Sequence, residues 1–183
     1  MVIIMSEFYT MKIAGLERQL EKFPVNDNLD IAAFIIFGDV ELTIEGCREL
    51  LKKVPQFDVI LTPEAKSIPI AYEMARQSEK PYIIARKGVK VYMRNPLEVS
   101  VTSITTKNEQ KLFLGETEVN LIKGKRVLII DDVISTGESL SAVRELVKKA
   151  GAIEAAACAF LAEGDAADRD DIIFLEKLPL FFK

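Results

Sequence analysis

Apolar residues at Phe8, Met11, Leu16, Leu20 and Phe23 fall at near-helical spacing behind Ser6, and predict a capped helix that ends before Pro24. Residues 26–29 read as a loop. The unbroken apolar run 31–37, stopped by Gly38-Asp39, predicts a strand buried on both faces. Ile44, Cys47, Leu50, Leu51 and Val54 then recur with the period of an amphipathic helix. Residues 58–61 look like another short strand, 67–76 have helical character, and 82–85 predict a further strand.

The rhythm breaks over residues 86–126, where Pro96 and mixed polar and β-branched residues suggest two antiparallel strands near 99–105 and 111–114. It resumes at 127–130, a four-residue aliphatic strand. Leu140, Val143, Leu146, Val147 and Ala150 mark the helix that follows, with Gly151 at its C-terminal cap. Residues 153–161 and 172–175 complete the strands. Apolar strands alternating with amphipathic helices predict an α/β fold: a mostly parallel sheet covered by helices on both faces.

Composition narrows the chemistry. The chain has 183 residues, enough for one domain with a substantial core, and carries 24 basic against 28 acidic side chains. It contains no histidine, which removes the commonest general base and every serine–histidine or cysteine–histidine pair. Cys47 and Cys158 lie far apart in apolar surroundings and are expected as buried structural thiols. No apolar run is long enough for a membrane span, and Glu7 and Lys12 interrupt the N-terminal apolar residues where a signal sequence would need continuity. A cytoplasmic protein is expected. The 86–126 excursion departs from the overall acidity, with nine basic residues against four glutamates. Placed between two apolar strands, it suggests a loop for an anionic ligand.

The chemistry concentrates in residues 127–139. A buried strand delivers Asp131 and Asp132 to its C-terminal end, where open α/β sheets bind ligands. After Val133 and Ile134 comes a turn of small residues, Ser135, Thr136, Gly137, Glu138 and Ser139, opening a helix. Free backbone N–H groups, the helix dipole and three hydroxyls can converge there on one phosphate. Neither G-x-x-x-x-G-K-[ST] nor G-x-G-x-x-G occurs in the chain, so the two common nucleotide-binding loops are excluded.

Four apolar residues, two acids, two apolar residues and a hydroxyl-rich loop containing Gly make a pattern that resembles the type I phosphoribosyltransferases, and all thirteen positions comply. The resemblance implies a five-stranded parallel sheet, a flexible catalytic loop and a small hood over the base, here in one domain spanning the chain. It implies that Asp131 and Asp132 hold the ribose hydroxyls of phosphoribosyl pyrophosphate, and that the Ser135 to Ser139 loop binds its 5′-phosphate. Ala65, Lys66 and Ser67 correspond to the family's pyrophosphate loop. Arg86 and Lys87 match the basic pair that neutralises pyrophosphate in adenine-type members, and Lys90 adds charge nearby. The flexible loop would be 88–115, the hood the N-terminal segment with the C-terminal tail. Mg²⁺ carried by the substrate, a purine base as second substrate, and a homodimer are further expectations, with no nucleic acid and no membrane.

Two departures bear on the base. The 6-oxopurine enzymes generally place an Asp three residues beyond the second acid, where this chain has Ser135, which points to adenine or a xanthine-like branch. Adenine enzymes usually carry a Glu after a Ser-Leu pair in the flexible loop, where this chain has Thr105 after Ser103-Ile104. Residues 178–181 are candidates to line or support the base pocket. A regulator that binds phosphoribosyl pyrophosphate without catalysis is the alternative of a different class. The winged-helix domain of the repressor type has no counterpart in the short segment before Ile31, and net negative charge disfavours duplex DNA.

Overall fold

The computed structural model describes residues 7–102 and 109–183. Ser6 and the Ser103, Ile104 and Thr105 positions lie outside the described residues.

The segment expected as a helix forms two strands instead, β1 (Phe8–Ile13) and β2 (Leu16–Asn26), paired antiparallel with Ile13 opposite Leu16. Ala14 and Gly15 both have positive φ, 51° and 82°, the backbone that a two-residue hairpin requires and that glycine supplies without steric cost. Met11 and Ile13 are buried on either side of exposed Lys12, and Leu20 is buried behind exposed Gln19. The apolar positions therefore alternate along the hairpin, and the spacing taken for helical has a period of two. A turn in which Asn28 N–H donates to Asn26 Oδ1 at 2.9 Å leads into β3 (Leu29–Ala32).

The run 31–37 is also corrected. Only its first two residues belong to β3, and the chain then leaves the sheet with Phe34 and Ile36 buried but Ile35 and Phe37 62% and 53% exposed. An aliphatic run does not reveal which sides will be covered. Helix α1 (Val40–Leu51) follows, capped by Asp39, whose Oδ1 accepts from Leu42 N–H at 3.0 Å. Arg18 on β2 donates to the same carboxylate at 2.6 and 3.0 Å and holds it below the usual carboxylate range, which ties the hairpin to α1.

The remaining order is β4 (Val59–Pro63), α2 (Ile68–Ser78), β5 (Tyr82–Ala85), β6 (Leu97–Thr102), β7 (Glu109–Leu114), α3 (Glu116–Ile122), β8 (Arg126–Ile134), α4 (Glu138–Lys149), β9 (Ile153–Glu163), a 3₁₀ turn (Gly164–Asp168), β10 (Ile173–Leu178) and β11 (Phe181–Phe182). The five-stranded sheet has the order β10-β9-β8-β4-β5 and is parallel throughout. Strands β6 and β7 pair antiparallel as an excursion from it, as the break in the pattern predicts. The short helix α3 was not expected, because only its Ile122 is fully buried and no apolar stripe announces it. The C-terminal β11 pairs with β3, giving a second sheet of order β1-β2-β3-β11.

Alternate residues of the parallel strands feed two cores. Val59, Leu61, Val127, Ile129, Ala157 and Ala159 pack under α3, α4 and the β6-β7 ribbon. Ile60, Leu128, Ile130, Cys158 and Phe160 pack under α1, α2 and the small sheet. Both cysteines are buried, and burial pushes both thiols well above their ordinary range. Among the described residues no helix is long and apolar enough to cross a membrane.

Helix α1 approaches the sheet through Gly46, where a Cβ would strike the ring of Phe160, itself fully buried. Gly46→Val is therefore expected to cost about 1–3 kcal/mol through overpacking. A urea melt checks this; an unchanged midpoint would mean that the ring has room to give.

Candidate active site

In the sheet order, β4 and β5 lie on one side and β8, β9 and β10 on the other, so the chain reverses direction of travel between β8 and β4. Crevices at such reversals, outside the carboxyl ends of the strands, are where open α/β sheets bind ligands. Two loops flank this one. Residues 64–67 leave β4, and residues 135–137 leave β8.

Strand β8 carries Asp131 and Asp132 within its last four residues, and Val133 and Ile134 extend its pairing with Leu161 and Ala162 of β9. The ladder fixes the two acids in place. Asp131 Oδ1 accepts from the backbone N–H of Asp132 at 2.9 Å. Burial raises the Asp131 carboxyl above the usual carboxylate range, and the neighbouring Asp132 charge adds to the shift. Asp132 is 5% exposed, and its buried Oδ2 has no well-directed hydrogen bond but lies 2.8 Å from Lys66 Nζ. Lys66, half exposed, thus bridges the β4 loop and the acid pair.

The β4 loop is braced by hydroxyls. Thr62 Oγ1 donates to Ser67 Oγ at 2.7 Å, and Ser67 Oγ donates to the Pro63 carbonyl at 3.2 Å, with both side chains buried. Ser67 is buried beneath the loop, where its side chain also hydrogen-bonds the Asp131 carboxyl and partly offsets the rise that burial causes there. The Glu64–Ala65 peptide is cis, and the N–H groups of Ala65 and Lys66 donate to no acceptor among the described residues. Arg86 closes β5, its backbone N–H and carbonyl both paired with Phe113 of β7 at 2.9 and 2.8 Å.

Three of the expected cationic positions gather around one carboxylate. Glu64 Oε1 accepts from Arg86 Nη1 and Oε2 from Lys87 N–H, each at 3.1 Å, and the Lys90 charge also reaches it. The Lys87 amide bond foremost, offset by burial and helped by Arg86, holds Glu64 below the usual carboxylate range. Arg86 also donates to Tyr92 hydroxyl at 3.2 Å.

At the β8 loop, Gly137 has φ +81° and caps α4 without a side-chain hydrogen bond. Ser135 and Thr136 are exposed, and the N–H groups of Thr136 and Gly137 donate to no acceptor among the described residues. Glu138 and Ser139 form the first turn of α4. Such an end presents partial positive charge and free donors to an anion.

The phosphoribosyl transferase domain family matches residues 38–179. The chain belongs to the phosphoribosyltransferase family. A hypoxanthine/guanine phosphoribosyltransferase of Methanothrix thermoacetophila is 35% identical over 162 residues, covering 84% of this chain and 82% of that protein. Its counterpart in Methanotorris igneus is 34% identical over 131 residues, covering 70% of this chain; the chain spans just under two thirds, 64%, of that relative. Among solved structures, the adenine phosphoribosyltransferase of Thermoanaerobacter pseudethanolicus superposes with a TM-score of 0.71 at 22% identity, over 86% of this chain and 95% of that one. At that identity the likeness establishes the fold.

Two side chains of the crevice escape a reading of the sequence. Glu64 sits inside the matched loop, but nothing in the order of residues shows that it will meet Arg86, which is 22 positions away. Arg169 follows the 3₁₀ turn, outside every motif of the sequence, yet its guanidinium lies against Gly137. Only the return of the chain from β9 to β10 brings it there.

Proposed function

We propose that the protein transfers the 5-phosphoribosyl group from phosphoribosyl pyrophosphate to a purine base, with adenine the favoured acceptor, yielding a nucleoside 5′-monophosphate and pyrophosphate. The observation that carries this reading is the meeting, at one crevice, of a carboxylate pair with two amide-rich loops. This arrangement suits a substrate with an anion at each end and hydroxyls between. In this reading Asp131 and Asp132 accept from the ribose hydroxyls, the Ser135 to Ser139 loop takes the 5′-phosphate, and the Ala65 and Lys66 amides face the pyrophosphate.

The bond from C1 of the ribose to pyrophosphate breaks as N9 of the base bonds to C1, and the N9 proton leaves to solvent or to the departing group. Negative charge grows on the pyrophosphate, where Lys66, Arg86, Lys87 and Lys90 would stand, while the acid pair would lie near the positive ring. Among the described residues no three His, Cys, Asp or Glu side chains form a metal cluster. The donor set fits Mg²⁺ carried by the substrate, which Asp131 would hold through water. When bound, the ion would neutralise the leaving group.

The small sheet β1-β2-β3-β11 would serve as the hood, and residues 88–115 as a lid. Val89, Val91 and Tyr92 are exposed there, apolar groups that gain contacts on closure. Hydrogen exchange in this segment should slow when phosphoribosyl pyrophosphate binds; identical exchange with and without it would contradict the lid. A homodimer is part of the proposal, supported by exposed Ile35, Phe37, Val40 and Tyr72, the last two of which line a hollow of about 250 Å³. Hypoxanthine or guanine as acceptor is the second reading, favoured by the named activity of the Methanothrix relative.

Phosphoribosyl pyrophosphate with Mg²⁺, or a nucleoside 5′-monophosphate, should raise the melting temperature, because the crevice exists only in the folded state. Ligand ~100-fold above Kd contributes ~2.7 kcal/mol. No shift with either ligand at millimolar concentration would count against the site.

A further inference from the structure

We propose that Arg169 is a substrate-binding residue, donating from Nη1 to the 5′-phosphate held by the Ser135 to Ser139 loop. The proposal rests on the reading of that loop as a phosphate cradle. A Cβ at Gly137 would run into Arg169 Nη1, so the guanidinium edge occupies the space that glycine leaves open beside the loop. The opposite edge is committed. Nε and Nη2 donate to the two oxygens of Asp171, each at 2.8 Å, whereas Nη1 has no partner among the described residues.

The fork is held from behind. Arg144 of α4 donates from Nη1 to Asp171 Oδ2 at 2.6 Å and from Nη2 to the Asp171 carbonyl at 3.1 Å. Arg144 is itself fixed by Nε bonds of 3.0 and 3.1 Å to the Glu154 carboxylate on β9. Asp171 thus serves two guanidinium groups: Arg144 is held at Glu154 and Asp171, and Arg169 cannot swing without breaking both of its bonds to Asp171.

The start of α4 is the positive end of its dipole, Asp171 neutralises Arg169 along the Nε–Nη2 edge, and Glu138 is the acid of the first turn. A phosphate in the loop would meet both the helix end and the remaining Nη1 edge, and a planar guanidinium is suited to its oxygens. Gly137 then has two reasons to be glycine, its positive φ and the approach of Arg169.

The test compares two probes on the full chain by calorimetry, ribose 5-phosphate for the cradle and inorganic pyrophosphate for the β4 loop. Arg169→Gln should weaken ribose 5-phosphate about 10-fold or more, leave pyrophosphate unchanged, and raise KM for phosphoribosyl pyrophosphate with little change in kcat. Arg169→Lys, which restores the charge but not the fork, should recover part of the loss. Unchanged ribose 5-phosphate affinity in a folded Arg169→Gln protein overturns the proposal. Equal weakening of both probes also overturns it, since that reports a damaged scaffold. A parent protein that binds pyrophosphate but not ribose 5-phosphate overturns the cradle itself, and one that binds neither removes the site.

Discussion

Asp131→Asn should lower kcat/KM by about 10- to 100-fold or more while leaving the ligand-free protein folded and slightly more stable at neutral pH. The loss follows from the charge, because a hydrogen bond to a charged group contributes ~1.5–3 kcal/mol and Asn keeps the size of Asp without its charge. The stability gain follows from the raised carboxyl of Asp131. A carboxylate whose folded value exceeds its unfolded one binds protons more tightly in the folded state, so it opposes folding as pH rises beyond ~4. Removing the charge removes that opposition, whereas the bond from Asp132 N–H to Oδ1 survives in Asn. The melting temperature of Asp131→Asn should exceed the parent's by about 2–4 °C at pH 7, with the difference closing as pH approaches 4. Asp132→Asn should lose activity similarly but without the gain, since it also releases Lys66. Parental turnover in both variants would contradict the roles given to the pair. A lower melting temperature for Asp131→Asn at pH 7 would contradict the account of its charge.

Ser135→Asp should move base preference toward hypoxanthine and guanine. Ser135 lies exposed one residue beyond β8, at the position where 6-oxopurine enzymes of the family carry an Asp near N7. A hydroxyl can donate to unprotonated N7 of adenine but cannot accept from a protonated N7 with the strength of a carboxylate. Sites built to pair a polar edge reject the wrong base by ~10⁴-fold or more, so the parent should show one clear acceptor rather than a graded series. The ratio of kcat/KM for adenine to that for hypoxanthine, measured in the parent and the variant, reads this out. A ratio unmoved by the substitution would assign base choice to other residues. Hypoxanthine as the parent's acceptor would keep the reaction and transfer the choice of base to the second reading.

The parallel sheet was legible because its strands are short, aliphatic and separated by helices of regular period, and the acid pair because two charges at the end of such a strand have few structural uses. Residues 8–26 misled because Phe8, Met11, Leu16 and Leu20 are compatible with either period, and the turn that decides between them rests on Ala14, whose positive φ no residue preference announces. Residues 31–37 misled because burial on two faces is set by neighbours far along the chain. The same limit applies within the crevice. Lys66 was identified from its loop, but its pairing with Asp132 depends on β4 lying beside β8. Arg86 is legible as a cation at the end of β5, but its pairing with Glu64 is not, and in the proposed reading pyrophosphate would draw on a guanidinium that is partly neutralised beforehand. Glu64→Gln should accordingly tighten inorganic pyrophosphate while slowing its release, a trade seen as lower Kd and lower kcat together. A weaker Kd would show that Glu64 positions Arg86 rather than competing for it.

The central claim is group transfer, and the most direct measurement is the joint appearance of nucleoside 5′-monophosphate and pyrophosphate when the protein is incubated with phosphoribosyl pyrophosphate, Mg²⁺ and adenine, hypoxanthine, guanine or xanthine in turn. The account predicts the two products in equal amounts with one base far ahead of the rest, and adenine as that base. Tight binding of phosphoribosyl pyrophosphate with no nucleotide formed from any of the four would contradict it and leave a ligand-binding regulator on the same fold.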